Sequence, residues 1–246
     1  MRAVRRRLIV VPVLVVLAAC GGGAASGSKG SAAAGKSVSI TVPVAPGSPQ
    51  TIVLDAVERG RGSIGVVLAH MLGSSQLAWA PILPTLLDQG FHVLTFDFRG
   101  HGLSGGTRDP SRAAIDLKGA IAKIRSLGAS RVLVVGASMG GTAAIVAAAT
   151  EDLAGVVSIS APAQIDRLDA AAAMTKVREP KLFIVGRGDD ARYTDGARSL
   201  FAAASQPKTI RVVDGTAAHG TDLLVDAKVG SQVRKLIVDF LIAHRG

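Results

Sequence analysis

The chain has 246 residues, with 28 lysines and arginines against 18 aspartates and glutamates, a formal net charge of +10. Six of the basic residues fall in the first 36 positions, which leaves +4 on the remainder; with aromatics at 3% and no basic run interleaved with them, this balance argues against nucleic-acid binding. A single cysteine, Cys20, excludes an intramolecular disulfide, and 48% hydrophobic content suits one domain around one well-buried core.

In chain order, Arg2, Arg5, Arg6 and Arg7 precede an apolar run over 8–17, a leader of about ten apolar residues that is too short to span a bilayer. Leu17-Ala18-Ala19-Cys20 resembles a bacterial lipobox. On that resemblance residues 1–19 are a lipoprotein signal peptide and Cys20 is the lipidation site; an ordinary signal peptide with a chance cysteine is the plainer alternative. Two or three acyl chains would hold the protein stably on a membrane where one would not. The expected location is extracytoplasmic, anchored to the bacterial cell membrane. Residues 20–36, mostly Gly, Ala and Ser, read as a flexible tether, and 37–246 as the folded domain.

Alternating runs over 37–44 and 51–57, separated by Pro43, Pro46, Gly47 and Pro49, predict an antiparallel hairpin at a sheet edge. Continuous apolar runs follow at 64–69, 92–96, 131–135, 153–159, 181–185 and 208–213, as strands buried on both faces require. Helices are expected between them over 76–89, 111–127, 138–150, 192–204 and 221–244. This βα alternation predicts a doubly wound, mostly parallel α/β sheet with its site at the carboxyl edge of the strands. The connection 161–180 has room for one helix, around 167–176, and so for little or no lid.

Gly136-Ala137-Ser138-Met139-Gly140 sits between the run at 131–135 and the small-residue stretch beginning at Gly141. Strand, G-x-S-x-G, helix is the order a nucleophile elbow requires. A sharp turn presents the Ser138 hydroxyl, the glycines leave room for neighbouring backbone, and the Met139 N–H faces an oxygen that becomes negative in acyl transfer. The plain alternative for Ser138 is a helix N-cap. No H-E-x-x-H or H-x-x-x-H spacing occurs, and neither Gly60-Arg61-Gly62 nor Gly105-Gly106 has phosphate-binding context. His92 and His244 read as surface residues, and Trp79 as core or pocket wall.

Four segments together resemble the α/β-hydrolase family: Leu68-Ala69-His70-Met71-Leu72-Gly73, Asp97-Phe98-Arg99-Gly100-His101-Gly102-Leu103-Ser104, the elbow, and Ala218-His219-Gly220. The resemblance implies a serine hydrolase without a cofactor or metal, in which His219 takes the Ser138 proton and an acid orients His219. Gly-x-x-Asp spacing from Gly186 favours Asp189 over its neighbour Asp190, with Asp166, Asp169 and Asp195 behind them. It also implies oxyanion donors at the Met139 and Met71 N–H groups. His70 and His101 are expected to be structural, with His70 bonded to nearby backbone, and Asp97 and Arg99 to tie down the turn after their strand. The expected substrate is a small or medium carboxylic ester. Thioesterase, acyltransferase or cofactor-free perhydrolase activity on the same site, or a non-enzymatic binding lipoprotein, are the alternatives. The sequence leaves the oligomeric state open.

Overall fold

The computed structural model describes residues 35–246, so the expected signal peptide, Cys20 and all but the last two residues of the expected tether lie outside the described residues. An eight-stranded sheet carries the fold, in the order β1-β2-β4-β3-β5-β6-β9-β10. Strand β1 (Lys36–Pro43) and β2 (Thr51–Arg59) form the antiparallel edge pair, from Lys36 opposite Glu58 to Pro43 opposite Thr51. Strand β2 runs antiparallel to β4 (His92–Phe96), with Ala56 opposite Phe96. All other pairings are parallel: β4 with β3 (Ile64–Ala69), then β5 (Arg131–Ala137), β6 (Gly155–Ile159), β9 (Lys181–Gly186) and β10 (Lys208–Val213). Two reversals make β1 point the same way as the parallel strands. The chain therefore enters the sheet at their amino edge, opposite the edge where they end.

Strand side chains alternate between two apolar layers. Val67 and Ala69 pack on one side with α2 (Ala113–Ser126), α3 (Met139–Ala148) and Leu200 of α5 (Ala191–Ala203). Val66 and Leu68 pack on the other with Leu86 of α1 (Leu83–Asp88) and with Val233, Ile237 and Leu241 of α6 (Gly230–Ala243). Trp79 is wholly buried in this second layer, which makes it core. Among the described residues no helix is long and apolar enough to cross a membrane.

Three expected helices differ in the structure. The stretch 76–89 is a 3₁₀ turn, Gln76–Trp79, followed by the short α1, because Pro81 and Pro84 cannot donate to a continuous helical ladder. The stretch 221–244 divides into a 3₁₀ turn, Gly220–Leu224, and α6; Asp226 accepts the N–H groups of Lys228 and Val229 and sets the break. Between β6 and β9 the chain forms a small hairpin, β7 (Gln164–Ile165) with β8 (Leu168–Asp169), before a single short helix, α4 (Ala170–Met174), capped by Asp169. His92 is not a surface residue. It opens a central strand, is 1% exposed, and bonds Glu58 at 2.9 Å. His244 is half-buried, its ring against Phe240.

Candidate active site

Strand β5 ends and α3 begins at Ser138, whose φ of 49° and ψ of −115° lie where L-residues rarely sit. Such a conformation costs on the order of 1–3 kcal/mol and persists only when its surroundings enforce it. They do. The Ser138 N–H donates to the Ile159 carbonyl at 2.8 Å, locking the turn onto β6. A Cβ on Gly136 would run into the Gly140 carbonyl, and one on Gly140 into the Ala69 carbonyl, so the elbow closes only with glycine at both places. The Ser138 side chain makes no capping bond to α3. Its Oγ instead lies 2.9 Å from His219 Nε2.

His219 and Asp189 are brought together by backbone stitching between the loops after β10 and β9. The Arg187 N–H donates to Val213 and the Gly188 N–H to Thr216, at 2.8 and 3.0 Å. Thr216 Oγ1 accepts from the Ala218 N–H and donates to Asp226, which fixes the turn leading into His219. Asp189 Oδ2 then lies 3.0 Å from His219 Nδ1. An ionised carboxylate only accepts, so Nδ1 carries the proton and Nε2 is left to accept from the Ser138 hydroxyl. Adjacent Asp190 does something else: its carboxylate accepts the Arg192 N–H at 2.9 Å and caps α5. Of the other candidate acids, Asp169 caps α4, Asp166 sits at a positive φ in the β7–β8 turn, and Asp195 faces Arg198 one helical turn away.

The loop after β3 brings Met71 to the same cleft. It is pinned by two imidazoles. His70 Nε2 accepts the Phe98 N–H at 3.0 Å, so its Nδ1 donates to the Met71 carbonyl at 2.7 Å. Burial pushes the His70 pKa down to about 4, which keeps this ring neutral. His101 Nε2 accepts the Gly73 N–H at 3.2 Å, while its Nδ1 donates to Arg99 O at 2.9 Å. Asp97 accepts the Gln76 N–H at 2.7 Å, and Arg99 forms a buried two-pronged pair with Asp116 of α2. Burial raises the Asp116 carboxyl pKa, with the Arg99 hydrogen bonds and charge pulling it back. Met139 is the first residue of α3, where a backbone N–H has no intrahelical acceptor.

These groups open on a cleft of about 280 Å³. Met71 and Leu72 form one wall, Pro162, Gln164 and Ile165 of the short β6–β9 connection a second, and Arg192 and Tyr193 of α5 a third. The sequence reading missed Tyr193, whose ring stacks on His219 with centroids 3.8 Å apart. It is the only tyrosine in the chain and stands four residues past Asp189, the one signal that could have marked it. Asp116 was missed as well; nothing in its helix marks it as the partner of Arg99.

A mostly parallel sheet with a strained serine at the end of a central strand, and a histidine and acid arriving from later loops, defines an α/β hydrolase architecture. A model of the alpha/beta hydrolase family matches residues 66–242, and the chain belongs to that family. No curated protein sequence matches it closely enough to count as a relative. Among solved structures it is similar to the esterase Pf2001 of Pyrococcus furiosus, at 21% identity and TM-score 0.72 over 86% of this chain and 93% of that one. It is also similar to a monoacylglycerol lipase of Paleococcus ferrophilus, at 22% identity and TM-score 0.67 over 78% of this chain and 99% of that one. A thermophilic esterase of Thermogutta terrifontis aligns at 18% identity and TM-score 0.68 over 86% of this chain and 100% of that one. At these identities the likeness is one of fold.

Proposed function

We propose that this protein is a membrane-anchored serine hydrolase that cleaves small to medium carboxylic esters through a Ser138–His219–Asp189 acyl-enzyme mechanism. One observation carries the reading: a strained serine whose Oγ is 2.9 Å from an imidazole that is itself 3.0 Å from a buried carboxylate. In acylation His219 Nε2 takes the hydroxyl proton as Oγ attacks the ester carbonyl, and the Met139 and Met71 N–H groups receive the developing oxyanion. The protonated ring then gives that proton to the leaving alkoxide. Water enters, gives a proton to the same nitrogen and attacks the acyl-serine; as the acyl–oxygen bond breaks, His219 returns that proton to Ser138 Oγ and the acid is released. Asp189 stays ionised throughout and stabilises the imidazolium.

The anchor is the lipid on Cys20 and the location is outside the cytoplasm. A β6–β9 connection made only of a two-stranded hairpin and a short helix favours esterase over lidded lipase behaviour. The test is a panel of p-nitrophenyl esters of rising chain length on wild type and Ser138→Ala. Turnover should be highest on short acyl chains and fall by at least about 10⁴-fold in the variant. Turnover unaffected by Ser138→Ala would overturn the mechanism. Mass spectrometry of the membrane fraction tests acylation of Cys20.

A further inference from the structure

Arg192 is charged and lies in the cleft, yet the ester chemistry gives it nothing to do. It belongs to the first turn of α5 and lines the cleft with Ser138, Tyr193 and His219. Its guanidinium sits 4.7 Å from the centroid of the Tyr193 ring, which in turn stacks on His219. Among the described residues no carboxylate comes within ion-pair distance of it; several other arginines share that, and what sets this exposed side chain apart is its place in the lining of the cleft beside Ser138. The cleft lining contains no aspartate or glutamate. Asp190 is adjacent, but its carboxylate is engaged by the Arg192 backbone N–H. A cation in the first turn also opposes the helix dipole, so the position is unfavourable for arginine unless an anion joins it. A planar fork of donors in a cleft with no carboxylate of its own matches a carboxylate in two parallel hydrogen bonds.

We propose that Arg192 is a specificity-determining residue that selects esters bearing a second, ionised carboxylate. The proposal rests on the reading of Ser138 as nucleophile and narrows its substrate class. When such a substrate is bound, its carboxylate pairs with Arg192 while Ser138 attacks the ester carbonyl, and the hairpin wall of Gln164 and Ile165 covers the carbon chain between.

The test compares charged and neutral esters of matched length. Monoethyl adipate is set against ethyl hexanoate, and 4-acetoxybutanoate against butyl acetate, so that the carboxylate lies on the acyl or the alcohol side. The readout is the ratio of kcat/KM, charged over neutral, in wild type, Arg192→Met and Arg192→Lys, at low and high salt. The expected result is a wild-type ratio above one for at least one pair, falling by about tenfold or more in Arg192→Met, partly restored in Arg192→Lys, and falling with salt. A role confined to packing on Tyr193 would move both esters of a pair together and leave the ratio and its salt dependence fixed; that result overturns the proposal. Binding gives a second readout. Adipate should bind Ser138→Ala more tightly than Ser138→Ala/Arg192→Met in calorimetry, and equal affinity counts against Arg192. Neutral esters cleaved in a Ser138-dependent way with an unmoved ratio would sink this inference alone. If neither ester of either pair is cleaved, the proposed function fails, and the calorimetric comparison still decides whether Arg192 holds a carboxylate.

Discussion

The two edges of the sheet bury polar groups for different ends. At the amino edge, Lys181 opens β9 almost fully buried, and its Nζ donates to the Val177 and Ser205 carbonyls and the Ser205 hydroxyl. His92 opens β4 and pairs with Glu58. Each is a closed unit that satisfies chain ends around it. At the carboxyl edge, His70, Asp97, Arg99, His101, Ser138 and Asp189 are all buried, and their bonds run from loop to loop. His70 ties the β3 loop to Phe98, and His101 ties the same loop to the turn after β4. Among the described residues the non-glycine residues at positive φ, Ser138, Ser160 and Asp166, lie at or beyond the ends of β5 and β6. At the amino edge, buried polarity seats the start of a strand against a neighbouring segment. Buried polarity that links separate loops holds a site in a geometry those loops would not keep alone.

The contrast can be broken by substitution, and after Ser138 itself the largest effect should come from Asp189. Asp189→Asn preserves size but removes the charge that selects the His219 tautomer, and kcat should fall by roughly 10³–10⁴-fold with little change in fold. Steady-state kinetics alongside circular dichroism checks this.

The His70 pin should appear in the pH dependence of stability. Its folded-state pKa is lowered to about 4 from an ordinary 6.5, so between those values the unfolded chain binds more protons than the folded one. Stability therefore falls as pH drops from about 6.5 towards 4, by up to about 3 kcal/mol from this group, and levels off below. Urea midpoints across that range should show a steeper loss in wild type than in His70→Gln, after allowance for the lower starting stability of the variant. Parallel curves would contradict the assignment.

At the opposite edge, Lys181→Met removes the donor of the Ser205 carbonyl and one of the two donors of the Val177 carbonyl, which keeps the Ser205 hydroxyl. Stability should drop by about 1–3 kcal/mol, while kcat/KM of the folded protein stays within about twofold. A large loss of kcat/KM at full folding would show that the two edges are coupled. The smallest effect belongs to Asp190→Ala, which removes the cap of α5 and should cost about 1 kcal/mol in thermal stability. Because Asp189 makes the bond to His219, the activity of Asp190→Ala should remain within a few-fold of wild type, far above that of Asp189→Asn.

The parts legible in the sequence were those where one residue's backbone or position in the strand order is decisive. Glycines at 136 and 140 are dictated by carbonyls a Cβ would strike, and the βα order puts Ser138 at a strand end, while Asp189 and His219, in the loops after β9 and β10, were picked out by the resemblance to the α/β-hydrolase family. The parallel strands were legible because burial on both faces leaves unbroken apolar runs. The rest depends on approaches across the fold. Tyr193 meets His219 only because α5 starts beside the last loop, and Asp116 meets Arg99 only because α2 crosses beneath the turn after β4. His92 was misjudged because an imidazole beside a glutamate on a neighbouring strand can be buried at little cost, and that neighbour is 34 positions away. Prolines 81 and 84 were visible, but the apolar spacing around them read as a single helix.

The central claim is most directly tested by treating the folded protein with a fluorophosphonate and measuring intact mass, followed by peptide mapping. The account predicts one adduct per chain, located on Ser138, absent in Ser138→Ala and much slower to form in Asp189→Asn. No adduct on the folded wild type, or an adduct on a different residue, would contradict it.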